Sequence, residues 1–179
     1  MNIDKLVPDS PASPSRLEAA KIASDFLRGS LAEELNTETS SFSAGADSIV
    51  KHHGIYQQDD RDRRRAGERQ YSFLVRTRLP GGVLTGSQLL AELQLCDELG
   101  DGTLRITDRQ GLQLHGVLKR DLQEVIRRID AAKMTTFGAC GDVVRNVMCC
   151  PAPLKGSAVR VEMRSLTDSI ARHFALRSR

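Results

Sequence analysis

The stretch Tyr71-Ser72-Phe73-Leu74-Val75-Arg76-Thr77-Arg78-Leu79 decides the fold. It alternates strictly, with Tyr71, Phe73, Val75, Thr77 and Leu79 on one side and Ser72, Leu74, Arg76 and Arg78 on the other. A period of two is the signature of a half-buried strand. Two shorter stretches repeat it. Across Thr103–Thr107, Leu104 and Ile106 oppose Thr103, Arg105 and Thr107. Across Leu112–Leu118, Leu112, Leu114 and Leu118 oppose Gln113 and His115. The polar sides together collect Arg76, Arg78, Arg105, Thr107, Gln113 and His115. One such strand alone reads as the solvated face of an antiparallel sheet. Three that agree suit a ligand rich in carboxylates, because the planar guanidinium fork matches a carboxylate bidentately.

The segments between supply the remaining layers. Pro80-Gly81-Gly82 makes a turn. Thr85 caps a helix with Leu89, Leu90, Leu93, Cys96 and Leu99 at helical spacing, and Gly100 ends it. After the strand pair, joined by a turn near Asp108–Gly111, Asp121 caps a helix carrying Leu122, Val125, Ile126 and Ile129. Strand, helix, strand, strand, helix is most of a ferredoxin-like split unit. The predicted class is α+β: an antiparallel sheet with both helices on its apolar face and the arginines on the other.

Outside this unit, Met1–Pro14 holds three of the six prolines and reads as a mobile lead-in. Ser15 and Glu18 form a capping box for a helix with Leu17, Ala20, Ala23 and Leu27 as its stripe, interrupted at Gly29. A further turn or two runs through Leu31–Leu35, and Asn36–Asp47 reads as a loop. His52–Arg65 is polar and charge-dense, and its composition alone favours a solvated loop. A last helix spans Ser157–Phe174. The predicted organisation is an N-terminal extension with a helix (1–50), a ferredoxin-like half-domain (51–156) and a C-terminal helix (157–179).

Composition narrows the function classes. The 179 residues carry a net charge of only +3, with no Trp and 4% aromatics, which argues against a nucleic-acid surface built on charge and base stacking. No apolar run approaches the length of a membrane span and the N-terminus lacks a signal-peptide core, so the default location is the cytoplasm. Cys96, Cys140, Cys149 and Cys150 fit neither a zinc pattern nor a Cys-x-x-Cys pair, so reduced thiols are expected, with Cys96 packed in the core.

Four blocks then become recognisable: His53-Gly54-Ile55-Tyr56-Gln57-Gln58-Asp59-Asp60-Arg61-Asp62; Arg76-Thr77-Arg78-Leu79-Pro80-Gly81-Gly82; Leu104-Arg105-Ile106-Thr107-Asp108-Arg109-Gln110 running on to Gln113-Leu114-His115-Gly116; and Gly138-Ala139-Cys140-Gly141-Asp142 running on to Arg145-Asn146-Val147. They resemble the amino-terminal part of the siroheme-dependent sulfite and nitrite reductases, on the sulfite side, and the helix before them looks like the lead-in of the ferredoxin-type enzymes. The resemblance covers nearly all of Lys51–Pro153. It implies reduction of sulfite to sulfide by six electrons at a siroheme coupled to a four-iron, four-sulfur cluster, with ferredoxin as electron donor. Siroheme carries eight carboxylates. By resemblance Arg105 and Arg109 pair with them, Thr107, Gln113, His115 and Asn146 add cofactor contacts, and Arg76 and Arg145 hold the substrate anion on the distal side of the iron.

The resemblance also implies what these residues do not contain. The family holds its cluster with two closely spaced cysteine pairs near the carboxyl end, and places two substrate lysines in the segment after this one. None of the four cysteines here has that spacing. The expectation is therefore an amino-terminal part of the enzyme, inactive alone, with no metal ligands of its own. Two readings from other classes stand beside it: a stand-alone tetrapyrrole-binding module that keeps the cationic face, and a basic domain binding nucleic acid through Arg61–Arg65 and the sheet.

Overall fold

The computed structural model describes residues 13–59, 70–151 and 156–176. The expected lead-in at Met1–Pro14 lies almost wholly outside the described residues, as does most of the charged run ending at Arg65.

Four strands form one antiparallel sheet: β1 (Ile55–Asp59), β2 (Tyr71–Thr77), β3 (Leu104–Ile106) and β4 (Leu112–Val117), in the order β1-β2-β4-β3. Helix α4 (Gly86–Leu99) crosses from β2 to β3, and β4 returns between them. That is the split β-α-β unit read from the sequence. Helix α5 (Leu122–Ala131) follows β4, and the outer place beside β2 is taken by β1, which precedes the unit in the chain. Three short helices, α1 (Arg16–Ala23), α2 (Leu31–Leu35) and α3 (Ala44–Val50), lead in, and α6 (Ala158–His173) closes the described chain.

The core lies on the expected sheet face. Phe73, Val75, Leu112, Leu114 and Val117 pack against Leu95 and Cys96 of α4 and Leu122, Val125 and Ile129 of α5. Ala46, Ile49 and Val50 of α3 join them, and Phe42 meets Phe73 edge-on at 5.5 Å between ring centroids. The caps agree with their sequence signals. Ser15 and Glu18 close a capping box, as do Thr85 and Gln88, and α4 ends at Gly100.

Several expectations need correction, each for a local reason. The α4 stripe is turned by about one position: Leu89, Leu90 and Leu93 are exposed, whereas Glu92, Leu95 and Cys96 are buried. Glu92 faces inward, where Thr77, on the core side of β2, donates its hydroxyl hydrogen to the Glu92 carboxyl. Leu118 is exposed and Val117 buried instead, because Gly116 at φ +74° accompanies a register shift that breaks the alternation of β4. Ile106 stands exposed at the end of the edge strand β3. The run Asn36–Asp47 is a loop only to Ser43, which caps α3. Polar His52–Asp59 contains β1. The α1 stripe buries none of its residues, and Asp121 precedes α5 without a side-chain capping bond.

Burial pushes the Glu92 carboxyl above its ordinary range, with the Thr77 hydrogen bond working the other way. A raised folded-state value contributes stability below the unfolded pKa and loses it as pH rises through the folded one. Glu92→Gln mimics the neutral acid, so it is expected to match the wild-type urea midpoint near pH 5 and exceed it near pH 8. Parallel denaturation curves at the two pH values check this, and equal midpoints at both would contradict it.

Candidate functional site

The register of the sheet builds the site. Gln113 of β4 lies opposite Arg76 of β2 on one side and Arg105 of β3 on the other. Directly paired residues share a face, so the three form one row on the side away from the core. The Gln113 amide oxygen, oriented by its partners, accepts from Arg76 Nε at 2.8 Å and from Nη2. Tyr56 of β1 lies across from Leu74, and its ring sits 5.8 Å from the Arg76 guanidinium carbon. Arg76 is thus held between an amide and an aromatic face, with no carboxylate partner among the described residues.

A shallow depression next to this row is lined by Arg76, Arg78, Thr107, Arg109, Arg145 and Asn146. The segment after α5 supplies its second wall. Arg145 Nε donates to the Gly141 carbonyl at 2.6 Å. Asn146 Nδ2 donates to Leu79 O at 2.7 Å and Arg109 O at 2.8 Å, which ties the loop to both the β2 end and the β3–β4 turn. Gln110 adds a two-way clasp to Cys149, donating to its carbonyl at 2.7 Å and accepting from its N–H at 3.1 Å. Thr107 Oγ1 accepts from Gly111 N at 3.0 Å, closing the turn that carries Arg109.

Of the predicted site residues, the fold brings Arg76, Thr107, Arg109, Arg145 and Asn146 around the depression, with Arg105, Gln113 and His115 in the adjoining strands. Among the described residues, Arg76, Arg105 and Arg145 have no carboxylate partner, and Arg109 only faces its exposed neighbour Asp108 at 3.9 Å. His115 Nε2 and Asn146 Oδ1 are buried without a hydrogen-bond partner. Burial depresses the His115 pKa, and Arg105 and Arg76 act in the same direction against Asp101. Burial and the two nearby cations thus both favour the neutral form of the His115 imidazole.

Arg78 has a different place from the one its alternation suggested. Its side chain is buried, Nη2 donates to Ala171 O of α6 at 3.1 Å, and Nε has no partner among the described residues. Burial lowers its pKa. It tethers α6 to the sheet while still lining the depression.

Two contributors were not read from the sequence. Tyr56 is one, hidden because the charge run beside it masked the short alternation of β1. The other is Cys140, fully buried beside Tyr56, Arg76 and Arg145. Burial pushes its thiol pKa up, and those three neighbours pull it down. The remaining cysteines are free as well.

A cationic row, an arginine-lined depression and orphaned polar atoms on a split β-α-β sheet point to an anionic ligand with many oxygens. Residues 66–132 match the model of the nitrite/sulfite reductase ferredoxin-like half domain. This segment is such a half domain. The chain is also homologous to sulfite reductase hemoproteins. It is 48% identical to the NADPH sulfite reductase hemoprotein beta-component of Shouchella clausii, over 83% of this chain and 27% of that protein. It is 50% identical to the corresponding component of Myxococcus xanthus, over 80% and 27%. Against the ferredoxin sulfite reductase of Synechococcus elongatus the identity is 43%, over 90% and 26%. Among solved structures, the Mycobacterium tuberculosis NirA protein superposes with a TM-score of 0.72 at 25% identity, over 91% of this chain and 32% of that one. The half domain and its flanks thus span between a quarter and a third of the proteins they match. No helix among the described residues is long and apolar enough to cross a membrane.

Proposed function

We propose that this chain supplies the siroheme-carboxylate contacts and half of the substrate-anion pocket of an assimilatory, cytoplasmic sulfite reductase. The observation that carries the reading is the row Arg76, Gln113, Arg105, which lies beside Arg145 and Arg109 with no carboxylate pairing to Arg76, Arg105 or Arg145 among the described residues. Guanidinium groups gathered on one face repel one another, and an anion with several oxygens removes that cost.

The residues fit siroheme on their own chemistry. Arg105 and Arg109 offer donor forks for its carboxylates. His115 Nε2 and Asn146 Oδ1 are buried polar atoms in need of a partner. Thr107 lines the depression, and Gln113 lies between Arg76 and Arg105, already orienting Arg76. When bound, siroheme passes electrons from the family's iron–sulfur cluster to the substrate. Arg76 and Arg145 bind the sulfite oxygens, neutralise the dianion and donate to the oxygens that leave as water. Arg76 is preset by Gln113 and Tyr56, and Arg145 by the Gly141 carbonyl.

These 179 residues are expected to be inactive alone, since none of the four cysteines has the spacing of a cluster-holding pair. Ferredoxin is the electron donor in this reading, and the relatives include NADPH and ferredoxin forms. Reduction of the holoenzyme by reduced ferredoxin is the expected outcome.

Sulfite titration of the 15N-labelled chain tests the anion pocket. The Arg76 and Arg145 Nε–H resonances are expected to shift together with a single Kd, while those of Arg120 and Arg127 stay still. Uniform small shifts across all arginines would leave only nonspecific ion screening and refute the pocket. A tetrapyrrole-binding module predicts siroheme uptake without this sulfite response.

A further inference from the structure

The segment Gly138–Asp142 forms part of one wall of the depression, yet it has no regular secondary structure and bears two left-handed glycines, Gly138 at φ +74° and Gly141 at φ +91°. Its position must therefore come from its neighbours. Gly138 N–H donates to His52 O at 2.7 Å. Gly141 lies so close over the imidazole that a Cβ there would stand 2.6 Å from His52 Nδ1. The third tie is long in sequence. Asp142 Oδ2 accepts from Lys21 Nζ in the last turn of α1, 121 residues away, while Asp142 Oδ1 faces His52 Nε2 at 3.6 Å. The carbonyl of Gly141, the residue before Asp142, is the one that holds Arg145 Nε.

We propose that Lys21 and Asp142 are positioning residues through which helix α1 sets the Gly141 carbonyl, and with it the Arg145 guanidinium, so that the N-terminal helix governs anion affinity in the depression. The proposal rests on reading Arg145 as a substrate-anion contact. Helix α1 buries none of its residues, so apolar packing does not account for where it sits. The Lys21 ammonium reaches past that surface to a carboxylate on the anion-binding loop. An ordinary solvated ion pair would change little except a small part of the stability. A positioning pair has a second consequence: removing it shifts Arg145 while the fold persists.

The test uses the 15N-labelled chain with Lys21→Met, Lys21→Arg and Asp142→Asn. Lys21→Met keeps the aliphatic stem and removes the charge. It and Asp142→Asn are expected to move the Arg145 Nε–H resonance, leave that of Arg76 in place and weaken sulfite binding about two- to fivefold. Lys21→Arg is expected to restore both. Wild-type values of the Arg145 resonance and the sulfite Kd in both charge-removing variants would overturn the proposal. So would a Lys21→Arg variant as defective as Lys21→Met, or loss of the fold in the charge-removing variants. If the wild-type chain binds no sulfite, the anion-pocket reading fails by itself, and the Arg145 resonance still decides the positioning link.

Discussion

Arg145→Ala in the siroheme-loaded reductase is expected to lower sulfite turnover by roughly 30- to 1,000-fold with siroheme still bound, the loss of about 2–4 kcal/mol of transition-state stabilisation typical of one preorganised charge donor. Arg76→Ala should behave alike. Both guanidinium groups are already fixed, Arg145 on the Gly141 carbonyl at 2.6 Å and Arg76 between the Gln113 amide and the Tyr56 ring. Neither spends its charge on a carboxylate among the described residues. Preorganised donors of this kind stabilise charge without reorganising during the reaction, so their removal should appear in kcat more than in cofactor content. Steady-state sulfide release and siroheme absorbance on the same preparations check the split. Full turnover in the Arg145 variant would remove that residue from the pocket.

The largest expected stability effect lies behind the site, at Gly54. Its φ is +78°, and a Cβ there would meet Thr136 O at 2.4 Å and Arg76 O at 2.8 Å. Both are backbone atoms, so no side-chain rotation relieves the clash. Gly54→Ala is expected to cost about 3 kcal/mol or more, the range of a strained backbone combined with an overpacked contact. Gly86 offers the internal control. It begins α4 with nothing within 4 Å of its would-be Cβ, and Gly86→Ala is expected to stay near wild type. Urea denaturation of the two variants measures the contrast. Equal midpoints would mean that the β1 start does not pack against Thr136 and Arg76 as described.

Much of this was legible in the sequence, and the parts that were not share a cause. Alternation in Tyr71–Leu79 and around Gln113 placed Arg76, Arg105 and Gln113 on one face because the side-chain period of a strand is fixed by its backbone. The same rule failed at Leu118, where the register shift near Gly116 breaks the period, and the helical stripe failed at Leu89, Leu90 and Leu93, where the helix presents Glu92, bonded to Thr77, to the core instead. Pattern reading counts Thr77 as tolerable in a core and Glu92 as solvent-facing. It does not see that the two satisfy each other. Arg145 and Asn146 had no periodic signal, since they sit on a loop fixed by bonds to Gly141, Leu79 and Arg109. Only the resemblance of their motif singled them out. Strand β1 was masked for another reason: five residues with two glutamines and an aspartate carry little apolar contrast, yet Ile55 is buried and Tyr56 flanks Arg76.

In the proposed division of labour across one sheet face, Arg105 serves the cofactor and Arg145 the substrate. Siroheme occupancy of the purified reductase, read from its absorbance in Arg105→Ala and Arg145→Ala side by side, tests it most directly. Clearly reduced occupancy is expected for Arg105→Ala, partly restored by added siroheme, and near wild-type occupancy for Arg145→Ala. Full occupancy in Arg105→Ala, or equal loss in both variants, would contradict it.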